Sequence, residues 1–282
     1  MITIITDSTC DIPQALIEKY GVIVVPQYII WGEEQFRDRV DLQPEDFYQR
    51  LETGDLRPTS SQATDLDFLN AIQTAAAQGA DQVIILTVSA AMSGTYQMAI
   101  KAANKADIPV KVIDSKGPTM SLGWQVLAAA RARDEGANVD AIIERVSQVR
   151  DGLVQMVAME TLEYLHTGGR IGDAVKWVGG LLNVKPLVSI NHQSGRVQPV
   201  SLARTHKKVV DLLYKKFFEE FENKKNLRIA VLHGNNLQEA QELAAKIKQT
   251  FNPIELIINI TGPVLGINTG PRALALCGYS EA

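Results

Sequence analysis

The segment Ser89-Ala90-Ala91-Met92-Ser93-Gly94-Thr95-Tyr96-Gln97 is rich in hydroxyls and carries neither a carboxylate nor a histidine. It follows the apolar, β-branched run at residues 82–88 and precedes a helical pattern over 95–105. A helix start presents backbone N–H groups without partners, and nearby hydroxyls add donors, so such a loop suits an anion. With no general base in it, the loop suits holding a negative group better than breaking a bond. A second segment of the same kind, Arg57-Pro58-Thr59-Ser60-Ser61-Gln62-Ala63-Thr64-Asp65, precedes a helical pattern over 66–78. Ser, Thr and Asp are also the ordinary N-cap residues, which explains either loop taken alone. Two such loops on neighbouring βα units favour a ligand, because open α/β sheets bind ligands at the carboxyl ends of their strands.

An ionised carboxylate is costly to desolvate unless it is hydrogen-bonded. Ser60, Ser61, Ser93, the Gly94 N–H and a helix terminus supply neutral donors for one, without a fixed cation. An acyl tail attached to that carboxylate needs an apolar tunnel, worth roughly 0.8 kcal/mol per buried CH₂. Leu, Ile, Val and Met are plentiful, but their pattern does not separate tunnel lining from core. Arg170, in Gly168-Gly169-Arg170-Ile171, is a further polar candidate for the head group or a partner. A surface salt bridge beside a helix end accounts for it equally. Asp7, Ser8 and Asp11 read mainly as caps, Asp11 being the N-cap of the first helix, with metal binding as the lesser alternative. His166, His192, His206 and His233 lack metal-ligand spacing, and none pairs in sequence with a nucleophile. The sequence has no G-x-S-x-G elbow and no phosphate-binding P-loop. No catalytic residue, metal or other cofactor is expected.

The elements that must position these loops alternate strand and helix through the first half. Residues 2–6 read as a strand and 12–20 as a helix ended by Gly21. A long β-branched run over 22–30 leads into a hairpin turn at Trp31-Gly32-Glu33-Glu34, and 44–52 reads as a helix. Beyond the two loops come a strand at 110–114 and a helix at 121–134. Repeated βαβ units imply a parallel sheet with helices on both faces. The second half differs. Strands at 154–158, 185–190 and 196–203, the last two joined by a hairpin, precede helices at 205–222 and 237–251 and strands at 228–232, 255–260 and 273–277. That is mixed α/β, so a domain boundary is expected near Asp151-Gly152, separating residues 1–152 from 153–282.

At 46% hydrophobic and 21% charged, 282 residues can bury a real core and are not disordered. A net charge of −4 without a basic stripe argues against a nucleic-acid partner. Cys10 and Cys277 form no C-x-x-C and read as buried free thiols in a reducing cytosol, with Cys10, in a βα turn, open to a reactive role. The N-terminus lacks a basic signal region and no apolar run reaches membrane-spanning length, so a cytoplasmic location without stable membrane insertion is expected.

Several motifs then occur in order: Thr6-Asp7-Ser8-Thr9-Cys10-Asp11, Thr59-Ser60-Ser61-Gln62, Ser93-Gly94-Thr95-Tyr96-Gln97, Asp114-Ser115, Tyr164-Leu165 with Gly168-Gly169-Arg170-Ile171, Lys185-Pro186, and Gly262-Pro263 with Thr269-Gly270-Pro271. Together, over essentially the whole chain, they resemble the DegV family. The resemblance implies a two-domain α/β fold, an N-terminal parallel-sheet domain and a C-terminal mixed domain, with a fatty acid in a tunnel between them. It implies no catalytic centre: FakB-type members carry a fatty acid to a separate kinase, of the dihydroxyacetone-kinase type, which phosphorylates the carboxylate.

Carried over residue by residue, the family's carboxylate ligands fall on Ser93 and on Ser60, with Ser61 following. Ala63 stands where the family usually has Pro. FakB-type proteins usually carry Gly-x-His-Thr-Gly-Pro-Gly where this chain has Gly266-Ile267-Asn268-Thr269-Gly270-Pro271-Arg272. Asn268, at the His position, can donate a hydrogen bond but cannot titrate near neutral pH. Thr269 and Arg272 stand beside it as candidate head-group or partner contacts, Arg272 adding bulk and positive charge. The expected function is non-catalytic binding of a long-chain fatty acid and its presentation to a separate fatty acid kinase. Asn268 leaves open a carrier of another amphipathic acid without a kinase partner. Ser93 leaves open an acyl-processing enzyme, although no His or Lys is identifiably placed to activate it.

Overall fold

The computed structural model describes residues 1–54, 56–177 and 184–281. Strand β1 (Ile2–Asp7) sends successive side chains to opposite faces: Ile4 joins Ile84 and Leu86 in one apolar cluster, Ile5 joins Val83 and Ile85 in another. Burial on both faces is why such strands read as unbroken apolar runs. A single 3₁₀ turn (Ser8–Cys10) leads to α1 (Gln14–Tyr20), then β2 (Ile23–Val25), β3 (Tyr28–Trp31), β4 (Glu34–Arg37), α2 (Pro44–Thr53), β5 (Thr59–Ser61) and α3 (Asp65–Ala77). Next come β6 (Gln82–Thr87), α4 (Thr95–Ala103), β7 (Val110–Asp114), α5 (Met120–Asp134) and α6 (Val139–Gly152). The rest comprises β8 (Val154–Ala158), α7 (Glu163–Thr167), a 3₁₀ stretch (Gly172–Trp177), β9 (Lys185–Asn191), β10 (Arg196–Ala203), α8 (His206–Glu219), β11 (Leu227–His233), α9 (Leu237–Phe251), β12 (Glu255–Ile260), α10 (Pro263–Thr269) and β13 (Leu274–Ser280).

The strands form an all-parallel sheet in the order β2-β1-β6-β7, an antiparallel sheet β4-β3-β5, and a mixed sheet β10-β9-β8-β13-β11-β12 in which β11 and β12 run parallel. The fold is thus α/β, with a parallel-sheet part followed by a mixed-sheet part. Helix α5 ties them together. It buries residues all round, and its Trp124, Val126 and Leu127 share one cluster with Ile84 and Leu86 of the parallel sheet and Val157, Val188 and Ala275 of the mixed sheet. Trp124 Nε1–H donates to the Cys277 carbonyl at 3.2 Å and meets Tyr279 edge to face. No helix among the described residues is long and apolar enough to cross a membrane.

Three local expectations are corrected. The run over 22–30 is two strands, because Pro26 lacks the N–H that a continuous ladder needs, and the Gln27 N–H turns to Ser8 Oγ at 3.1 Å. The hairpin then forms as expected, with Gly32 at φ 65° between β3 and β4. The segment at 57–65 is not a βα turn of the parallel sheet: Thr59–Ser61 is β5, antiparallel to β3 with Ser60 opposite Ile29. Asp11 does not cap α1, where Pro13 takes the N-cap position; Asp11 sits at φ 48° with its carboxylate buried against Arg39 and the Gly262 N–H. Helix α10 arises in the Gly- and Pro-rich segment at 262–272, to which the sequence pattern assigned no element. It packs Val264, Leu265 and Ile267 on Ile29, Trp31, Phe47 and Tyr48. Gly266 permits that approach, since a Cβ there would lie 2.5 Å from Phe47 Cε1.

Candidate functional site

Between the two larger sheets lies a cavity that is mostly apolar with a few polar groups, the character typical of small-molecule sites. Its body is apolar, built from Val88, Val157, Met159, Val188, Ile190 and Val197. One end is lined by Ser60, Ser61, Gln62, Ser93, Arg170 and Asn268. Among the described lining residues Arg170 alone is ionisable.

Ser93 stands in the loop between β6 and α4. Asp7 holds that loop: its carboxylate accepts from the Val88 N–H at 2.7 Å and from the Thr9 hydroxyl at 2.6 Å. Ser93 Oγ accepts from the Thr95 N–H at 3.3 Å, at the start of α4. The direction of its own proton follows from Gln27. The Ala63 N–H donates to Gln27 Oε1 at 3.1 Å, which fixes the amide so that Gln27 Nε2–H donates to Thr95 Oγ1 at 2.8 Å. Thr95 is fully buried and its hydroxyl has no other acceptor among the described residues, so its hydrogen goes to Ser93 Oγ, 2.8 Å away, and the Ser93 O–H is left to donate into the cavity. Gln27 also joins the β5 segment, through Ala63, to the Ser93 loop. It was not singled out from sequence; the one signal was a lone amide after a proline within an apolar run.

The other expected residues divide. Ser60 and Ser61 line the cavity, and neither hydroxyl has a protein partner among the described residues. Arg170 is not in a salt bridge with any described residue; it donates from Nε to the Met92 carbonyl at 3.1 Å and from Nη1 to the Gly168 carbonyl at 2.6 Å, tying the Ser93 loop to the end of α7. Asn268 gives one amide hydrogen to the Val264 carbonyl at 2.9 Å and keeps the other. A Cβ on Gly168 would crowd its Oδ1, so a side chain there would displace the Asn268 amide. Thr269 lines the cavity, but its hydroxyl donates back to the Leu265 carbonyl at 3.1 Å and offers only an acceptor. Gly94 and Arg272 are not among the lining residues. The amide of Gln62 covers Gly94, and the Arg272 side chain, 61% exposed, turns toward Glu160 at 3.9 Å.

Ser93 has no hydrogen bond to a His, Lys, Asp or Glu among the described residues. Burial pushes the Cys10 and Cys277 thiols up to about 12, so neither is a thiolate near neutral pH. Among the described residues no group of three or more His, Cys, Asp or Glu side chains is arranged to hold a metal ion.

Behind the site lies a buried acidic set. Burial pushes the carboxyls of Asp7, Asp11 and Asp38 up, with Arg39 opposing this for Asp11 and Asp38. Asp38 reaches about 7, while Ser8 Oγ donates to it at 2.6 Å. Its folded value lies above the unfolded one, so folding favours the neutral form, and this contribution is lost as pH rises through about 7. Asp38→Asn keeps an acceptor for Ser8 and removes the titration. It is expected to raise stability by about 1–2 kcal/mol near pH 5 and by on the order of 4 kcal/mol near pH 8.5. Thermal unfolding of both proteins at the two pH values measures this; an equal effect at both would contradict it.

Comparison with known proteins agrees with the geometry. The model of a family described as "Uncharacterised protein, DegV family" matches residues 1–281. A DegV domain-containing protein of Halalkalibacterium halodurans is 32% identical over 281 residues, spanning 99% of each chain. Among solved structures, a DegV family protein from Thermus thermophilus, described by its fatty acid binding, superposes with a TM-score of 0.90 at 31% identity over 99% of each chain. A stearic-acid-binding protein from Eubacterium ventriosum does so with a TM-score of 0.89 at 25% identity, over 99% of this chain and 98% of its own.

Proposed function

Because the chain belongs to the DegV family, we propose that it binds a long-chain fatty acid in the cavity between its two larger sheets and does no chemistry on it. The observation that carries this reading is a cavity with an apolar body and a cluster of neutral hydroxyl and amide donors around Ser93. The carboxylate accepts from Ser93, Ser60 and Ser61, with the start of α4 behind Ser93 and the free amide hydrogen of Asn268 and the guanidinium of Arg170 beside it. Hydroxyls satisfy the charge while keeping the site narrow, and the tail contributes roughly 0.8 kcal/mol for each CH₂ removed from water. The division at residue 152 suits this, since residues 1–152 supply the hydroxyls and residues 153–282 supply β8, β9 and α10 over the tail. A cytoplasmic location fits two buried free thiols.

The carrier presents its carboxylate to a separate fatty acid kinase. Asn268, neutral at every physiological pH, favours a second reading in which the bound acid goes to no kinase. Incubation of the loaded protein with ATP and a fatty acid kinase separates the two by whether acyl phosphate forms. For binding itself, the test is mass spectrometry of the organic extract alongside the native mass. One fatty acid per chain is expected. A protein that carries none, and takes up neither added hexadecanoate nor octadecenoate, would overturn the reading.

A further inference from the structure

The wall of the cavity is polar at a second place. An outer recess shares Ser60, Arg170 and Asn268 with the cavity, whereas a polar groove elsewhere on the surface shares Gln155 and Ile190 with it. These mark its two ends. Gln155, Val157 and Met159 alternate onto the cavity along β8 and its continuation. Four residues of extended chain, roughly 13 Å, separate Gln155 from Met159. At the Gln155 end the cavity is also lined by Thr119, which precedes α5.

Both polar residues are buried, Gln155 to 1% exposure and Thr119 to 4%. Gln155 Nε2–H donates to Thr119 Oγ1 at 2.9 Å, and Gln155 Oε1 accepts from Ser121. Ser121 Oγ bonds His192 Nε2 at 2.8 Å in turn. A carboxamide nitrogen carries two hydrogens and a hydroxyl one. One Gln155 N–H and the Thr119 O–H therefore have no acceptor among the described residues. Turning the amide over would satisfy Thr119 and still leave one N–H. Thr119, a β-branched residue, is moreover held at φ 53°, ψ −138°, far from its preferred backbone regions. A wall meant only for hydrocarbon has no use for these donors, since a buried donor without an acceptor is destabilising.

We infer that this end of the cavity is a subsite for a neutral oxygen on the distal part of the acyl chain, a hydroxyl or oxo group that accepts from Gln155 and Thr119. The inference rests on the fatty-acid reading and names the substrate class within it. A second carboxylate does not fit, because no cation lines the cavity at this end among the described residues, Arg150 on the adjoining groove faces Asp151 at 3.7 Å, and burial holds His192 down at about 4, in its neutral form.

The test is competition on the full chain, read by native mass spectrometry. Octadecanoate is set against 12-hydroxy- and 12-oxooctadecanoate, and hexadecanoate against 16-hydroxyhexadecanoate. At least one oxygenated acid is expected to be retained over its parent by about threefold to tenfold, and Gln155→Leu is expected to abolish that preference. Parents retained as well as, or better than, every oxygenated acid would overturn the subsite and leave the fatty-acid reading standing. Retention of neither kind would overturn both. A preference that survives in Gln155→Leu would overturn the assignment to Gln155. The wild-type competition decides the subsite even if Gln155→Leu fails to fold.

Discussion

Ser93→Ala is expected to fold and to lose about 10- to 100-fold in affinity for a fatty acid, the usual worth of a hydrogen bond to a charged group. The size of the effect comes from the relay behind the serine. Gln27 is oriented by the Ala63 N–H and donates to Thr95, whose buried hydroxyl has no acceptor but Ser93 Oγ among the described residues, and the Ser93 hydrogen is thereby committed to the cavity. Nothing has to reorganise when the carboxylate arrives. Thr269→Ala makes the matched control, since that hydroxyl already donates to its own helix and has no hydrogen to give. Its affinity is expected to stay within about threefold of the wild type. Titration calorimetry with hexadecanoate on the delipidated proteins reads both. Equal losses in the two variants would mean that the donors are not ranked by the relay. A turnover that disappears with Ser93 would make the protein an enzyme.

The place of Ser93 on the cavity wall was legible because its signal is local: hydroxyls and a glycine between an apolar run and a helix. The central strands were legible for a related reason, since burial on both faces leaves Ile4, Ile5, Ile84 and Ile85 no polar alternation to hide in. What failed was pairing at a distance. Ser60 and Ser61 were found as hydroxyls, but their strand β5 exists only because β3, some thirty residues upstream, offers it an edge. Asp11 looked like a cap because caps are the nearest explanation for an Asp after a strand. Its real partners, Arg39 and Gly262, lie 28 and 251 residues away in sequence. Gln27, Thr119 and Gln155 escaped for a third reason. Each is one polar residue in an apolar stretch, and periodicity does not distinguish a wall of the cavity from the core beside it.

Arg39→Met is expected to cost about 3–5 kcal/mol of stability, and the cost should reach the site although Arg39 does not line it. Arg39 Nη2–H donates to Asp11 Oδ1 at 2.6 Å and to the Ile260 carbonyl at 2.9 Å. The Gly262 N–H donates to the same carboxylate oxygen at 2.9 Å, and Asn259 reaches the Asp11 carbonyl at 2.8 Å. The pair therefore fastens the first βα turn to the link between β12 and α10, and α10 carries Asn268 to the cavity. Without the guanidinium, a fully buried carboxyl keeps only the Gly262 N–H, with Asp7 and Asp38 near enough to raise it further. Protonation relieves that cost, so the loss is expected to be greater near pH 8 than near pH 5, and to shrink as pH falls through the raised value. Asp11→Asn combined with Arg39→Met removes the orphaned charge, keeps an acceptor for Gly262, and places at φ 48° a residue that tolerates it. The double variant should recover most of the loss near pH 8 in denaturant unfolding, with fatty acid retention recovering alongside. A double variant no more stable than Arg39→Met would locate the cost in the bond to Ile260 and in lost packing. The buried charge would then not be what makes Arg39 indispensable.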